Sequence, residues 1–84
     1  MYYSEMVTSE QIKGWIEAGL GQSSAEVTGD GHHFEAVVIA PIFQGKNPLQ
    51  RHRLVYAALG ERMQKEIHAL SLQTLTPEEV TKWI

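Results

Sequence analysis

Gly29-Asp30-Gly31-His32-His33-Phe34-Glu35-Ala36-Val37-Val38-Ile39-Ala40-Pro41 decides the fold. The two glycines frame a tight turn that tolerates positive φ, and Asp30 is a turn-former between them. From His33 to Ala40 the chain reads as a strand. Phe34, Ala36, Val38 and Ala40 share one face, and Val37 and Ile39 keep the other face apolar as well. A strand that is apolar on both sides belongs in the middle of a sheet. Pro41 ends it. Before the turn, Ala25-Glu26-Val27-Thr28 supplies a short partner strand, so the pair reads as a hairpin.

Helices flank this hairpin. Thr8 with Gln11 three residues later forms a capping box, and Ile12, Trp15, Ile16 and Leu20 follow at helical spacing. Gly19 and Gly21 stop that helix. Asn47-Pro48 places an N-cap before a proline at the first helical position. His52, Val55, Tyr56, Leu59 and Met63 then recur as one stripe, which predicts a second helix from about Pro48 to about Lys65 with Gly60 inside it. Ile67 to Thr74 alternates as a third strand with one wetter face. Thr76-Pro77-Glu78-Glu79 opens a last helix, whose stripe is Val80, Trp83 and Ile84. The order is αββαβα. A hairpin followed by a right-handed β-α-β crossover predicts an α+β fold with a three-stranded mixed sheet packed by helices.

Composition narrows function. The chain has 84 residues, 43% hydrophobic and 20% charged, with a formal net charge of -3. This suits one small domain over residues 1–84 and argues against a disordered chain. With no cysteine, a zinc ribbon, a thiol redox site and a self-contained cysteine-ligated iron–sulfur protein are all excluded. The longest apolar run, Ala36 to Ala40, is too short to span a membrane. Met1 to Glu5 shows neither a basic nor an apolar leader pattern, so the cytoplasm is the expected location. No nucleophile elbow, carboxylate pair or phosphate-cradling glycine loop occurs, so the chain does not read as an enzyme.

Three groups of residues can carry chemistry: the turn histidines His32 and His33, the basic cluster Arg51-His52-Arg53 with Lys46, and His68. Each also has an ordinary structural explanation, as solvated turn residues, a solvated helix face and a hydrogen-bonded strand residue. The four histidines are scattered over three elements and show no HxH or HxxxH spacing, so they are not expected to form a closed metal site of their own. One or two imidazoles suffice, however, where another molecule supplies the remaining donors. Between Ala36 and Gly60 no acidic residue interrupts Lys46, Arg51 and Arg53, which suits contact with an acidic partner surface or with phosphate.

Phe43-x-Gly45, Arg51-His52-Arg53-Leu54-Val55-Tyr56, Ile67-His68-Ala69-Leu70, Thr76-Pro77-Glu78-Glu79 and Gly29-Asp30-Gly31-His32-His33-Phe34 together resemble the BolA-like family over almost the whole chain. The resemblance implies a fold related to the type II KH domain. It also implies a monothiol glutaredoxin with a CGFS motif as partner. The pair would share a [2Fe–2S] cluster held by the glutaredoxin cysteine, a glutathione thiolate and one or two histidines from this chain. The isolated chain would hold no cofactor, as a monomer or weak homodimer. The family's C-terminal histidine maps onto His68, and its second ligand, from the turn before the second strand, maps onto His33 or His32. The spelling favours His33, directly before the aromatic residue. Lys46, Arg51, His52 and Arg53 would meet the partner or glutathione carboxylates. Two other roles compete: a nucleic-acid-binding regulator using the same basic residues, although no G-x-x-G loop is present, and an adaptor that binds glutaredoxin without a cluster.

Overall fold

The computed structural model describes residues 7–67 and 69–82. Helix α1 (Ser9–Gly19) starts where the sequence places it: the Gln11 amide donates to Thr8 Oγ1 and the Thr8 amide to Gln11 Oε1. Its apolar stripe buries Ile12 and Ile16 completely. Strands β1 (Ser24–Gly29) and β2 (His33–Ile39) pair antiparallel from Ser24 opposite Ile39 to Gly29 opposite Phe34. After a single 3₁₀ turn at Pro41–Phe43 comes helix α2 (Pro48–Leu59), where Asn47 and Gln50 cap each other reciprocally. A short helix α3 (Arg62–Lys65) leads to strand β3 (Ala69–Leu75) and to helix α4 (Pro77–Lys82). Strand β3 runs parallel to β2, from His33 opposite Ala69 to Ile39 opposite Leu75. The sheet order is β1-β2-β3, so the doubly apolar strand is central.

Phe34, Ala36 and Val38 point from β2 into the core and are at most 2% exposed. They meet Ile12, Ile16, Val55 and Leu59 from the helices, and Phe43 joins the same cluster. Helices α1 and α2 approach closely at Gly19, where a Cβ would lie 2.8 Å from that of Ala58. The other face of β2 carries His33, Glu35, Val37 and Ile39, of which the first two are exposed. Register places Ser24, Glu26 and Thr28 of β1 and Ala69, Ser71, Gln73 and Leu75 of β3 on that face too.

The predicted second helix is two helices. Gly60 adopts φ +62, a conformation that favours glycine, and its amide closes α2 on the Tyr56 carbonyl at 2.8 Å. The chain turns there and restarts as α3. The stripe of α2 is also rotated from its predicted line. Val55 and Leu59 are buried with Leu54 and Ala58 packed beside them, while Tyr56 is 39% exposed. Ile67 is not part of the third strand, because its amide bonds the Arg62 carbonyl and so finishes the helical turn. The strand instead continues one residue past Thr74, to Leu75.

Candidate functional site at the histidine turn

The β1–β2 turn is built around one carboxylate. Asp30 Oδ1 accepts from the His32 amide at 2.9 Å and the His33 amide at 3.0 Å, and the Asp30 amide donates to the His33 carbonyl. These amides, His33 first and His32 second, hold the Asp30 carboxyl below the usual carboxylate range. Gly31 takes φ +103. At Gly29 a Cβ would come within 2.4 Å of both the His33 carbonyl oxygen and the Phe34 ring, so the turn closes only because no side chain is present there. Sequence and geometry together fix the backbone of two adjacent histidines.

His33 is the first residue of β2, exposed on the face opposite α1 and α2. His32, also exposed, lies one residue nearer the turn tip. Across the sheet His33 pairs with Ala69, the first residue of β3. His68 itself lies outside the described residues; it directly precedes Ala69 in the chain. Among the described residues no cluster of three or more His, Cys, Asp or Glu could hold a metal ion. The turn presents two exposed imidazoles, each able to supply one nitrogen donor.

The basic cluster stands at the other end of the sheet. Lys46 and the start of α2 follow the C-terminal end of β2, whereas the histidine turn precedes its N-terminal end. From His33 to Ile39 the strand covers about 20 Å at about 3.3 Å per residue. Arg51 is also not a solvated cation. Its Nε donates to the Lys46 carbonyl at 2.9 Å, Nη1 donates to the Thr74 carbonyl at 3.1 Å, and the fork grips Glu79 at 2.9 and 3.2 Å. The guanidinium also lies 5.8 Å from the Phe43 ring centroid, and the side chain is only 12% exposed. The same grip, with the Thr76 amide, draws the Glu79 carboxyl down to about 2. His52 and Lys46 are half-buried, and Arg53 is the exposed cation of the group.

Two basic residues that the sequence reading passed over lie closer to the histidine end. Arg62 and Lys65 belong to α3, which leads into Ile67 and the start of β3. Arg62 stacks 4.4 Å from the Trp15 ring centroid, and Lys65 pairs with Glu61 at 3.2 Å. Only the break at Gly60 reveals them as a separate element, because a continuous helix would have read them as one more solvated turn. Around that break Ala58, Leu59, Gly60, Arg62 and Lys65 help line an open cavity of about 400 Å³.

Comparison with known proteins agrees with this architecture. A family model described as BolA-like protein matches residues 15–79. Protein BOLA2 of Arabidopsis thaliana is 44% identical over 79 residues, covering 88% of this chain and 84% of the relative. BolA-like protein 1 of Bos taurus is 47% identical over 51 residues, which cover 61% of this chain and 38% of that protein, so the match spans under two fifths of the relative's length. Among solved structures, a bolA protein homologue from Coxiella burnetii superposes with a TM-score of 0.86 at 60% identity, covering 90% of this chain and 99% of the other. The chain belongs to the BolA-like family.

Proposed function

We propose that this protein is a non-catalytic partner of a monothiol glutaredoxin and lends histidine ligation to a shared [2Fe–2S] cluster, in cluster trafficking or in iron and redox regulation. The observation that carries the reading is the placement of His33. It is exposed, set by the Asp30 turn, and in register with Ala69, the residue that follows His68. Imidazole in place of thiolate on one iron raises the cluster potential, and a cysteine-free chain has no sulfur donor to complete the site alone. The glutaredoxin cysteine and the glutathione thiolate supply those donors in this reading. His68 and His33 are the ligands, with His32 as the alternative to His33.

The nucleic-acid reading has weaker support. It needs Lys46, Arg51 and Arg53 free for phosphate, and the Arg51 guanidinium is already satisfied by Lys46, Thr74 and Glu79.

Anaerobic reconstitution of the chain with a CGFS glutaredoxin and glutathione tests the proposal. The mixed complex gives an absorption and circular dichroism spectrum distinct from that of glutaredoxin alone. His68→Ala and His33→Ala shift that spectrum toward the glutaredoxin-only form or make the cluster labile, whereas His32→Ala leaves it unchanged. Ligation needs neutral imidazole, so lowering the pH from about 8 to about 5 weakens the mixed signal. Identical spectra with and without the chain contradict the reading.

A further inference from the structure

The two faces of the sheet carry different chemistry. Helices α1 and α2 seal Phe34, Ala36 and Val38 on one side. On the other side Thr28, His33, Glu35 and Ser71 are exposed, while Val37, Ile39 and Leu75 are half-buried. A solvated sheet face ordinarily turns polar residues outward, yet the central strand keeps an apolar pair here. Between β2 and β3 this face is hollowed into an open cavity of about 190 Å³, whose lining includes Glu35, Val37, Ser71 and Gln73. Among the described residues of the face Glu26 and Glu35 carry the formal charges, and no Lys or Arg is present. The exposed Arg53 belongs to α2, in the helix layer.

His33 fixes where a molecule that shares its iron must stand. The Asp30 turn and the pairing with Ala69 hold its backbone at the start of β2, on the face away from α1 and α2. An imidazole is short, so iron bound to it lies over that face, and the holder of the remaining ligands lies over it too. Glu35 is two residues along the strand, about 6.6 Å away at about 3.3 Å per residue. Thr28 and Ser71 stand opposite Glu35 on either side. Three strands about 4.8 Å apart and about 20 Å long make a face of only about 280 Å². A standard interface takes about 800 Å² from each partner. A partner seated on His33 therefore covers Thr28, Glu35 and Ser71.

Resting on the shared-cluster reading, we propose that the glutaredoxin docks on this sheet face, through Thr28, Glu35 and Ser71 around His33, and not on the basic residues of α2. The occupant is the molecule that carries the thiolate donors, because His33 cannot reach its iron from any other surface of the sheet. The charge of the face sets the chemistry of the partner: it presents Lys or Arg beside its thiolates, and one of these cations pairs with Glu35 at the rim of the contact. Val37 and Ile39 give the contact its apolar ground behind that rim.

The test measures affinity anaerobically between the chain and a CGFS glutaredoxin reconstituted with [2Fe–2S] and glutathione, with the mixed spectrum recorded on the same samples. Ser71→Arg and Glu35→Arg, both at exposed positions, set a cation against the basic partner surface and weaken association at least about tenfold. Far-ultraviolet circular dichroism of both variants keeps the natural form. Ala57→Arg, an exposed change on α2, stays within about twofold of the natural chain. Glu35→Gln loses about threefold, and with it part of the salt dependence of the natural complex. If the natural chain forms the mixed spectrum but Ser71→Arg and Glu35→Arg bind no worse than Ala57→Arg, the docking proposal is overturned and the shared cluster stands. If the natural chain forms no mixed spectrum, the shared cluster falls and the docking proposal falls with it.

Discussion

The two ends of the sheet are built on opposite plans. At the C-terminal end of β2 and β3, Arg51 joins the Lys46 loop, the end of β3 and the start of α4 through hydrogen bonds whose partners lie 5, 23 and 28 residues away. Its polar groups look inward and its role is cohesion. At the N-terminal end the backbone amides of His32 and His33 close on Asp30, and both residues stay exposed. The structure has used Arg51 to hold itself together and has left His32 and His33 exposed. Charge in a sequence is therefore a poor guide to where a partner binds. The satisfaction of that charge in the fold is a better one.

The contrast can be broken at its strong end. Arg51→Ala removes charge-assisted hydrogen bonds to two carbonyls and a carboxylate, and should lower stability by about 2–3 kcal/mol. Chemical denaturation measures this loss, and hydrogen exchange should rise first in α4. A change within about 0.5 kcal/mol would show that the network is ornamental. At the histidine end the corresponding change, His33→Ala, removes an exposed ring and should alter stability by less than about 0.5 kcal/mol while altering the shared cluster. The pair of variants separates cohesion from ligation.

Acid sharpens the same comparison. The Glu79 carboxyl is depressed from 4.5 to about 2, so it binds its proton more readily in the unfolded chain than in the folded one. Its stabilising contribution is complete above about 4.5 and fades as the pH falls toward about 2. Thermal unfolding across that window should show a drop for the natural chain and a shallower one for Glu79→Gln. Equal slopes would detach Glu79 from the Arg51 network.

What could be read from the sequence was local. The caps at Thr8, Asn47 and Thr76 each bond within three residues, and the glycine turn before His33 is set by adjacent residues. The central place of β2 was legible because both its faces are apolar. The break at Gly60 was not, since Met63 continues the periodic stripe across it and only the φ of +62 reveals the turn. The role of Arg51 was hidden for a different reason. Thr74 and Glu79 are distant in sequence, and nothing in an Arg-His-Arg run tells a tethered guanidinium from a solvated one. The turn histidines stood out by residue type, but their relation to the third strand emerges only from the parallel register of His33 with Ala69.

The central claim is that an imidazole of this chain binds iron in a cluster completed by another molecule. Pulsed electron paramagnetic resonance of the reduced mixed complex, prepared with nitrogen-15 histidine in this chain only, addresses it directly. The account predicts a strongly coupled nitrogen-15 signal from the chain, lost or reduced in His33→Ala and His68→Ala. A reduced cluster with no histidine coupling from this chain would contradict it.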